Sequence, residues 1–419
     1  MPEPGSTPPS LAGAEWLVSA PTQRVMRAIA EGGFEVRAVG GVVRNSLFGI
    51  PISDIDLATT ALPADVMRLA KAAGLGVVET GIDHGTVTLI ADHHPFEVTT
   101  LRRDVSTDGR RATVAFTTDW AEDAQRRDFT INAIYCDAAG QVHDPLGGYP
   151  DILARRVRFV GNAVPRIRED FLRILRFFRF SAQYGEGPLD AEGLAASTRE
   201  REGIASLSAE RIRQEFVRLI VARRGIEHLA AMQEHGVLAF VLPIAPRPGL
   251  LRRLSEVEAA TGRTGDAMTR LGALAVGIEE DVGVLARHLR LSRDERAVLA
   301  LAARAEARLA ALPEERQARV LLYRHGAADY TRLLMLSLAR LLPTAAGDSA
   351  WMEAIALPGR WSAPKLPVYG SDVLAAGVES GPRVGQILRE IETRWIADDF
   401  ATSRDALIAS IAASARTRR

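Results

Sequence analysis

The chain has 419 residues, which is enough for two or more domains with separate hydrophobic cores. Its 52 basic and 52 acidic residues leave no net charge, so the composition excludes a uniformly basic nucleic-acid binder but allows a basic face balanced elsewhere. Cys136 is the only cysteine, which excludes an intramolecular disulfide, and no apolar run reaches transmembrane length. We therefore expect a cytoplasmic protein that does not contact membranes.

The first predicted elements lead to a glycine turn. Residues 1–15 are rich in Pro, Gly and Ser and predict a disordered tail, and residues 16–31 have the apolar spacing of a helix. A strand at 36–39 then runs into Gly40 and Gly41, which allow positive φ and a close ligand, and into a helix whose first N–H groups are free. Arg44 adds a forked donor, so this stretch predicts an anion site.

The next predicted strand, residues 52–57, carries Asp54 and Asp56. Residues two apart in a strand project to the same face, so the two carboxylates are expected to lie together, with Ile55 and Leu57 facing the core. Neighbouring carboxylates repel unless a cation lies between them, and their oxygens suit Mg²⁺. Taken alone, Asp-x-Asp is more often a solvated strand face and Gly-Gly an ordinary turn, so the prediction rests on finding both together.

The string Gly-Gly-Val-Val-Arg followed by Ser-Asp-Ile-Asp-Leu-Ala-Thr resembles the head domain of class II nucleotidyltransferases. This family contains the CCA-adding tRNA enzymes and the bacterial poly(A) polymerases. The resemblance implies an α+β protein, with a polymerase-beta-like head of mixed sheet and helices followed by an all-α neck, body and tail. Asn45 departs from the pattern, because many members carry Asp there.

Predicted strands at 76–79, 87–90 and 95–100 continue the sheet after a helix at 64–73. Glu97 is expected on a strand beside the one that carries Asp54, with Phe96 and Val98 facing the opposite way. It is equally compatible with a third metal ligand and with an ordinary exposed strand residue.

Residues 102–119 show no helix or strand periodicity before Val114 and predict a mobile loop with an Asp-Gly turn. The resemblance implies that this is the flexible loop that takes part in the change from C to A addition. Its tip is Asp108, Gly109, Arg110 and Arg111.

Two further segments are predicted to contact the nucleotide. The string Arg-Arg-Asp-Phe-Thr-Ile-Asn-Ala resembles the family's ribose-binding segment, which implies that role for Arg127, Asp128 and Asn132. In a later helix, Asp170 and Arg173 are expected on one face, with Arg176 continuing the row.

This second set is either a salt-bridged helix surface or a reader of base edges. An acceptor beside a donor fork matches the amine and ring nitrogen of cytosine and adenine and mismatches uracil and guanine. The string Glu-Asp-x-x-Arg is similar to the family's protein template for base choice.

The predicted domains are a tail at 1–15, a catalytic head at 16–150, a neck for base recognition at 151–242, a body at 243–356 and a tRNA-binding tail at 357–419. The resemblance to the family, which covers most of the chain, implies a CCA-adding tRNA nucleotidyltransferase that uses CTP, ATP and two Mg²⁺ ions and binds the 3′ end and elbow of tRNA. A poly(A) polymerase and an inactive RNA-binding scaffold are the alternatives, with a specialist for C or A alone as a smaller one. Nothing in the sequence predicts an obligatory protein partner.

Overall fold

The computed structural model describes residues 7–108, 111–309, 311–341 and 348–416. The chain forms two compact units, one of Met1–Ala245 with Arg287–Arg290 and one of Pro246–Ala286 with Leu291–Arg419. The finer division into head, neck, body and tail stays a prediction. In the described part of the chain, no helix combines the length and the apolar character needed to cross a membrane.

The first unit is built on a mixed sheet. The strands are β1 (Val36–Val39), β2 (Asp56–Thr59), β3 (Gly76–Gly81), β4 (Thr86–Ala91), β5 (His94–Thr100), β6 (Arg102–Asp108), β7 (Arg111–Phe116), β8 (Tyr135–Cys136) and β9 (Val142–His143). Seven of them form the sheet, in the order β3-β4-β5-β2-β1-β8-β9, and within it only β2 and β5 are parallel. A separate hairpin pairs β6 with β7.

Helices cover the sheet and continue beyond it. In the first unit they are α1 (Glu15–Val18), α2 (Ala20–Ala30), α3 (Gly41–Phe48), α4 (Pro63–Ala72), α5 (Trp120–Gln125), α6 (Tyr149–Leu153), α7 (Ala163–Glu169), α8 (Leu172–Tyr184), α9 (Ala191–Arg199), α10 (Ala209–Ile220) and α11 (Gly225–Glu234). Ser208 caps α10, because its side chain accepts from the backbone N–H of Arg211. Cys136 is fully buried.

The described part of the second unit is helical. Its elements, with one helix that both units share, are α12 (Pro248–Ala260), α13 (Ala267–Ala275), α14 (Glu279–His288), α15 (Arg293–Arg308), α16 (Glu315–Leu341), α17 (Ser349–Ile355), α18 (Gly370–Ala375), α19 (Pro382–Ala397) and α20 (Arg404–Arg416). Gly326, at φ 74°, breaks α16 into two helices. The last helices enclose an apolar cluster around Trp395.

The strand expected at residues 52–57 begins later than predicted, at Asp56. Residue 56 is the first to pair with β5, opposite Glu97, and Leu57 is the first to pair with β1, opposite Ala38. Because β1 ends at Val39, residues before Asp56 have no partner on that side, and they do not pair with the earlier residues of β5 on the other side. Asp54 therefore lies in a loop, and the expectation that it sits in the strand was wrong.

The segment expected to be a loop also differs from the prediction. Residues on both sides of the tip form β6 and β7, with Asp108 opposite Arg111. The strand-like pairing begins well before Val114, because backbone hydrogen bonds between the two arms do not require an alternating apolar pattern. Gly109 and Arg110 lie outside the described residues.

The helix expected to carry Asp170 and Arg173 on one face is two helices, and Asp170 lies at the break between α7 and α8. Its backbone is extended, and its Oδ1 accepts from the N–H of Leu172 at 3.1 Å. An aspartate that binds the backbone two residues ahead favours the start of a helix over its interior. The shared helix face was therefore a wrong expectation.

We predict that Gly148→Ala destabilises the protein by about 1–3 kcal/mol, because a Cβ at this position would lie well inside van der Waals contact with the carbonyl of Thr130. The measurement is urea denaturation followed by circular dichroism. Gly13→Ala is the control, since a Cβ there meets no atom within 4 Å and Gly13 does not need positive φ. Equal midpoints for the two variants would contradict the close approach.

Candidate active site

An open cavity of about 710 Å³ in the first unit collects most of the predicted phosphate and metal residues. Such a volume is in the range of natural small-molecule sites. Acidic residues from the β2 end and basic residues from the helices share its lining, which is Gly41, Arg44, Asn45, Pro51, Ser53, Asp54, Asp56, Arg176, Arg179, Phe180, Gln183, Tyr184, Arg218, Val221, Ala222 and Arg223.

The glycine turn opens this cavity. Gly40 has φ 69° and precedes the first residue of α3, a conformation that favours glycine. Gly41 was also expected to have positive φ, but it begins the helix and does not. Arg127 lies above the turn, since its Nη1 would be 3.8 Å from a Cβ at Gly40. The free N–H groups at the start of α3 and Arg127 of the predicted ribose segment therefore lie next to each other at this turn.

The carboxylates at the start of β2 repel one another. Burial, together with the negative charges of Glu97 and Asp54, raises the pKa of Asp56 to about 6. Nearby arginines oppose the rise without cancelling it. Asp54 is exposed and accepts from its neighbour Ser53 at 2.9 Å. The expected position of Glu97 is confirmed, since it faces away from the buried Phe96 and Val98 and lies opposite Asp56.

The donor set of this cluster fits a hard cation. Two carboxylates beside a third negative charge, one of them with a raised pKa, are stabilised by a divalent ion. Among the residues that the structure describes, no group of three His, Cys, Asp or Glu side chains is arranged to hold a metal. Asp54 and Asp56 are therefore the candidate ligands, and Glu97 as a third ligand stays a prediction.

Arg44 lines the cavity but is held from several sides. Its Nη1 donates to Asn132 at 2.6 Å, and its Nη2 donates to Tyr184 at 2.8 Å and to Asn45 at 2.8 Å. The guanidinium also lies 4.2 Å from the Tyr184 ring centre. Its orientation is therefore fixed before any ligand binds.

Asn45 connects this arginine to the loop that carries Asp54. Its Oδ1 accepts from Arg44, and its Nδ2 donates to the carbonyl of Pro51 at 2.8 Å. An aspartate in its place would keep the first contact and lose the second, because a carboxylate has no N–H. The amide of Asn45 therefore links Arg44, the predicted phosphate contact, to the loop that carries Asp54.

Two of the three predicted ribose residues, Asp128 and Asn132, are hydrogen-bonded to each other, and the third, Arg127, has other partners. Asn132 donates to Asp128 at 2.9 Å, and Asp128 also accepts from Arg176 at 2.7 Å. Burial alone would raise the pKa of Asp128, but Arg176 and the hydrogen bonds lower it to about 2. Arg127 is fixed by Asp123 at 3.0 Å and Tyr135 at 3.2 Å. Asp128 is thus an ionised acceptor near the cavity.

Glu215 joins two arginines of α8 to α10, and the sequence analysis missed this role. Arg179 donates to its Oε2, and Arg176 lies 3.5 Å from its Oε1. The carboxylate is almost fully buried among Ile212, Phe216 and Leu219 on the apolar side of α10. The signal in the sequence was the position of Glu215 among the apolar residues of an amphipathic helix. A buried acidic residue needs a partner, so this position indicates an ion pair.

Asp170 and Arg173, the predicted base readers, do not line the cavity and do not bind each other's side chains. Asp170 accepts from Arg211 at 2.7 Å, whereas Arg173 donates to Glu169 at 2.6 Å and to the carbonyl of Arg166 at 2.7 Å. Both side chains are only partly exposed. Each keeps unused hydrogen-bonding capacity, since a carboxylate accepts several bonds and a guanidinium donates five.

Comparison with known proteins identifies the family. A family model described as the Poly A polymerase head domain matches residues 36–158, and one described as a probable RNA and SrmB-binding site of polymerase A matches residues 189–246. The CCA tRNA nucleotidyltransferase 1, mitochondrial, of Danio rerio is 34% identical over 385 residues, covering 91% of this chain and 88% of the relative. The chain belongs to the CCA tRNA nucleotidyltransferase family.

Other members agree with this assignment. A CCA-adding enzyme of Lacticaseibacillus paracasei is 31% identical over 382 residues, with 89% of this chain and 91% of the relative covered. The solved Bacillus stearothermophilus CCA-adding enzyme in complex with CTP is 26% identical and has a TM-score of 0.74, covering 96% of this chain and 99% of that one. The fold is therefore similar to that of a CCA-adding enzyme over nearly the whole chain, and the expected α+β architecture is confirmed.

We predict that Glu215→Ala destabilises the nucleotidyltransferase by about 3 kcal/mol, because two largely enclosed guanidinium groups lose their shared partner. Urea denaturation measures the change. Glu234→Ala, an exposed glutamate on α11, removes the same charge from the surface and should have little effect. Equal denaturation midpoints for the two variants would show that the Glu215 pairing does not support the fold.

Proposed function

We propose that the protein adds C, C and A to the 3′ end of tRNA from CTP and ATP, releasing pyrophosphate at each step. The observation that carries this proposal is one cavity in which the Asp54 and Asp56 carboxylates face the glycine turn and a fixed Arg44. Transfer of a nucleotidyl group needs little more than positioning and charge, and this arrangement supplies both. The relatives from Danio rerio and Lacticaseibacillus paracasei are named a CCA tRNA nucleotidyltransferase and a CCA-adding enzyme, which supports tRNA as the substrate and CCA as the added sequence.

Asp54 and Asp56 would hold two Mg²⁺ ions. When bound, the ions lower the pKa of the attacking 3′ hydroxyl and neutralise charge on the triphosphate. The exposed Asp54 lies in a loop that Asn45 ties to Arg44, while Asp56 is fixed by sheet pairing. The chain therefore keeps one carboxylate rigid and the other attached to the residue that contacts phosphate.

The triphosphate would lie against the Gly40–Gly41 turn, where helix N–H groups are free to donate. The ribose would bind at Asp128, whose ionised carboxylate accepts from hydroxyl groups, including the 2′-hydroxyl that distinguishes RNA precursors. Arg127 and Asn132 hold this segment in place through Asp123 and Arg44. The 3′ oxygen of tRNA then forms a bond to the α-phosphorus as pyrophosphate leaves.

Base choice would come from Asp170 and Arg173. Asp170 accepts from the exocyclic amine, and Arg173 donates to the adjacent ring nitrogen, a pattern that cytosine and adenine share. Their present contacts with Arg211 and Glu169 leave further acceptor and donor positions for the base edge. Arg176, which binds Asp128, would connect base reading to the ribose contact.

The domain roles remain part of the proposal. The head at 16–150 would carry catalysis, the neck at 151–242 base recognition, the body at 243–356 support, and the tail at 357–419 contact with the tRNA elbow. The β6–β7 hairpin would take the role of the flexible loop with Asp108 and Arg111 at its described ends. A cytoplasmic setting is also proposed, although three vertebrate relatives are named mitochondrial.

The test is to incubate the protein with Mg²⁺ and a tRNA that lacks its last three nucleotides, and to read product length at single-nucleotide resolution. CTP alone should add two nucleotides, and CTP with ATP should add three. A long ladder from ATP alone would identify a poly(A) polymerase, the second candidate because the head-domain family model carries that name. No extension under any condition would reject both.

We predict that Asp54→Asn lowers incorporation at least roughly 10³-fold, because it removes a charge from the metal ligands while keeping their shape. Asp92→Asn is the matched control, since Asp92 forms only an exposed ion pair with Arg24 at 3.3 Å. Rates are measured with saturating CTP and Mg²⁺. Activity of Asp54→Asn equal to that of the control would reject the metal assignment.

We predict that Arg173→Ala reduces the preference for CTP over UTP roughly tenfold or more. In the wild-type protein the Arg173 donors would face the ring N–H of uracil, which is also a donor, and the alanine variant removes this mismatch. The measured quantity is the ratio of kcat/KM for the two nucleotides. Arg168→Ala serves as the control, since Arg168 is an exposed arginine of α7 paired with Glu200. An unchanged ratio alongside an unchanged melting temperature would remove Arg173 from base selection.

A further inference from the structure

Arg166 lies where two segments of the proposed nucleotide site meet. It belongs to α7, which ends at Glu169, immediately before Asp170, and its side chain is only 11% exposed. The segment opposite is residues 126–128, which follows α5 and is here called the ribose segment because it leads into Asp128. The roles proposed above for the base and ribose contacts leave Arg166 without one.

The Arg166 guanidinium binds two consecutive backbone carbonyls of the ribose segment. Its Nη2 donates to the carbonyl of Arg127 at 2.7 Å and also to that of Arg126. These carbonyls follow the end of α5, where the last C=O groups of a helix have no helical partner. The carbonyl carbon of Arg127 is bonded to the nitrogen of Asp128, so the contact fixes the peptide plane that leads into Asp128. Arg166 therefore holds the ribose segment by its backbone.

The same residue also holds Arg173. The backbone carbonyl of Arg166 accepts from Nη1 of Arg173 at 2.7 Å. The Nη1 of Arg166 donates to Glu169, and the same oxygen of Glu169 accepts from Arg173 at 2.6 Å. The Nη2 of Arg173 reaches the carbonyl of Arg126 at 3.4 Å, which Arg166 also binds. Contacts that Arg166 makes or shares therefore fix the orientation of Arg173.

An ordinary surface ion pair of the same helix differs from this arrangement. Arg168 of α7 is 55% exposed and donates to Glu200 through Nε and Nη2. Such an exposed pair contributes little, because ordering a long side chain costs conformational entropy. Arg166 is enclosed and binds acceptors on both sides, so its removal leaves carbonyl groups of the ribose segment and the Glu169 carboxylate with fewer partners.

Selection of a nucleotide by both base and sugar requires the two contacts to lie at one separation, because a misplacement of about 1 Å can lower a rate roughly 100-fold. We propose that Arg166 is a positioning residue that holds Arg173 and the ribose segment at a fixed separation, so that base selection and sugar selection both depend on its guanidinium. This inference rests on the proposed function, because it concerns the choice of nucleotide at that site. It adds a residue that touches neither base nor ribose.

The test measures the affinities for CTP, UTP and dCTP by isothermal titration calorimetry with Mg²⁺ and without RNA. No 3′ hydroxyl is then present to be extended, so the affinities are equilibrium values. Arg166→Gln should lower the CTP/UTP affinity ratio and the CTP/dCTP affinity ratio about fivefold each, because neither contact keeps its place. Arg168→Gln is the matched control on the same helix and should keep both wild-type ratios.

Arg173→Ala separates positioning from base contact. It should lower the CTP/UTP ratio and keep the CTP/dCTP ratio, because the ribose segment retains its contacts with Arg166. The double variant Arg166→Gln/Arg173→Ala should have a CTP/UTP ratio no lower than that of Arg173→Ala, since no base contact is left to position. Additive losses in the double variant would overturn the proposal, because the two arginines would then act independently.

A merely structural role of Arg166 has a different signature. Arg166→Gln would then lower the melting temperature and weaken all three nucleotides by the same factor, and unchanged ratios would overturn the proposal. A loss confined to the CTP/UTP ratio would also overturn it, because Arg166 would then act on the base alone. Arg166→Lys keeps the charge beside Glu169 but lacks the forked donor, so its ratios should lie between those of the wild type and Arg166→Gln. This variant replaces Arg166→Gln if the latter does not fold.

The outcomes separate the positioning role from the proposed function. With a tRNA that lacks its last three nucleotides, the ratios of kcat/KM for the three nucleotides should follow the affinity ratios. If the wild-type protein extends no RNA, the proposed function fails, and the affinity ratios still decide the role of Arg166. If it extends RNA but Arg166→Gln keeps both wild-type ratios, only the positioning role is overturned. A wild-type protein that binds CTP, UTP and dCTP equally would overturn it as well.

Discussion

The first unit depends on the pairing of buried arginines. A guanidinium removed from water is costly unless its donors are satisfied, so each such group fixes the elements that supply its acceptors. Here the acceptors come from the sheet side and from the helices, which ties the glycine turn to α8 and α10. The chain of contacts runs through Arg44, Asn132, Asp128, Arg176, Glu215 and Arg179.

Some charged groups around the cavity are paired within the protein, and others are not. Asp128 and Glu215 form ion pairs with arginines, which fix the positions of both carboxylates. Asp54 and Asp56 have no such partners within 4 Å among the described residues and repel each other, which suits a divalent cation. Arg218 has the opposite charge, is exposed and lines the same cavity. The cavity therefore has negative and positive groups on separate parts of its lining.

Sheet order explains why the two candidate metal ligands differ. β2 is the middle strand of seven, so Asp56 starts a segment whose following residues are all buried. Asp54 precedes the strand and is exposed, and its loop is tied to α3 through Asn45 and the Pro51 carbonyl. In the proposed site, one ligand would thus be held by the sheet and the other would lie in a loop.

The sequence by itself determined the features set by neighbouring residues. β1, the glycine turn and the cap on α10 follow from local backbone preferences, and the placement of Glu97 follows from strand alternation. The family resemblance added the candidate nucleotide residues. Only the tertiary structure decided that Asp54 lies outside the strand, that Asp170 lies between helices, and that Arg44 is bound to a residue 88 positions away. Strand ends depend on where a partner strand stops, and ion pairs depend on which segments meet, neither of which a local pattern contains.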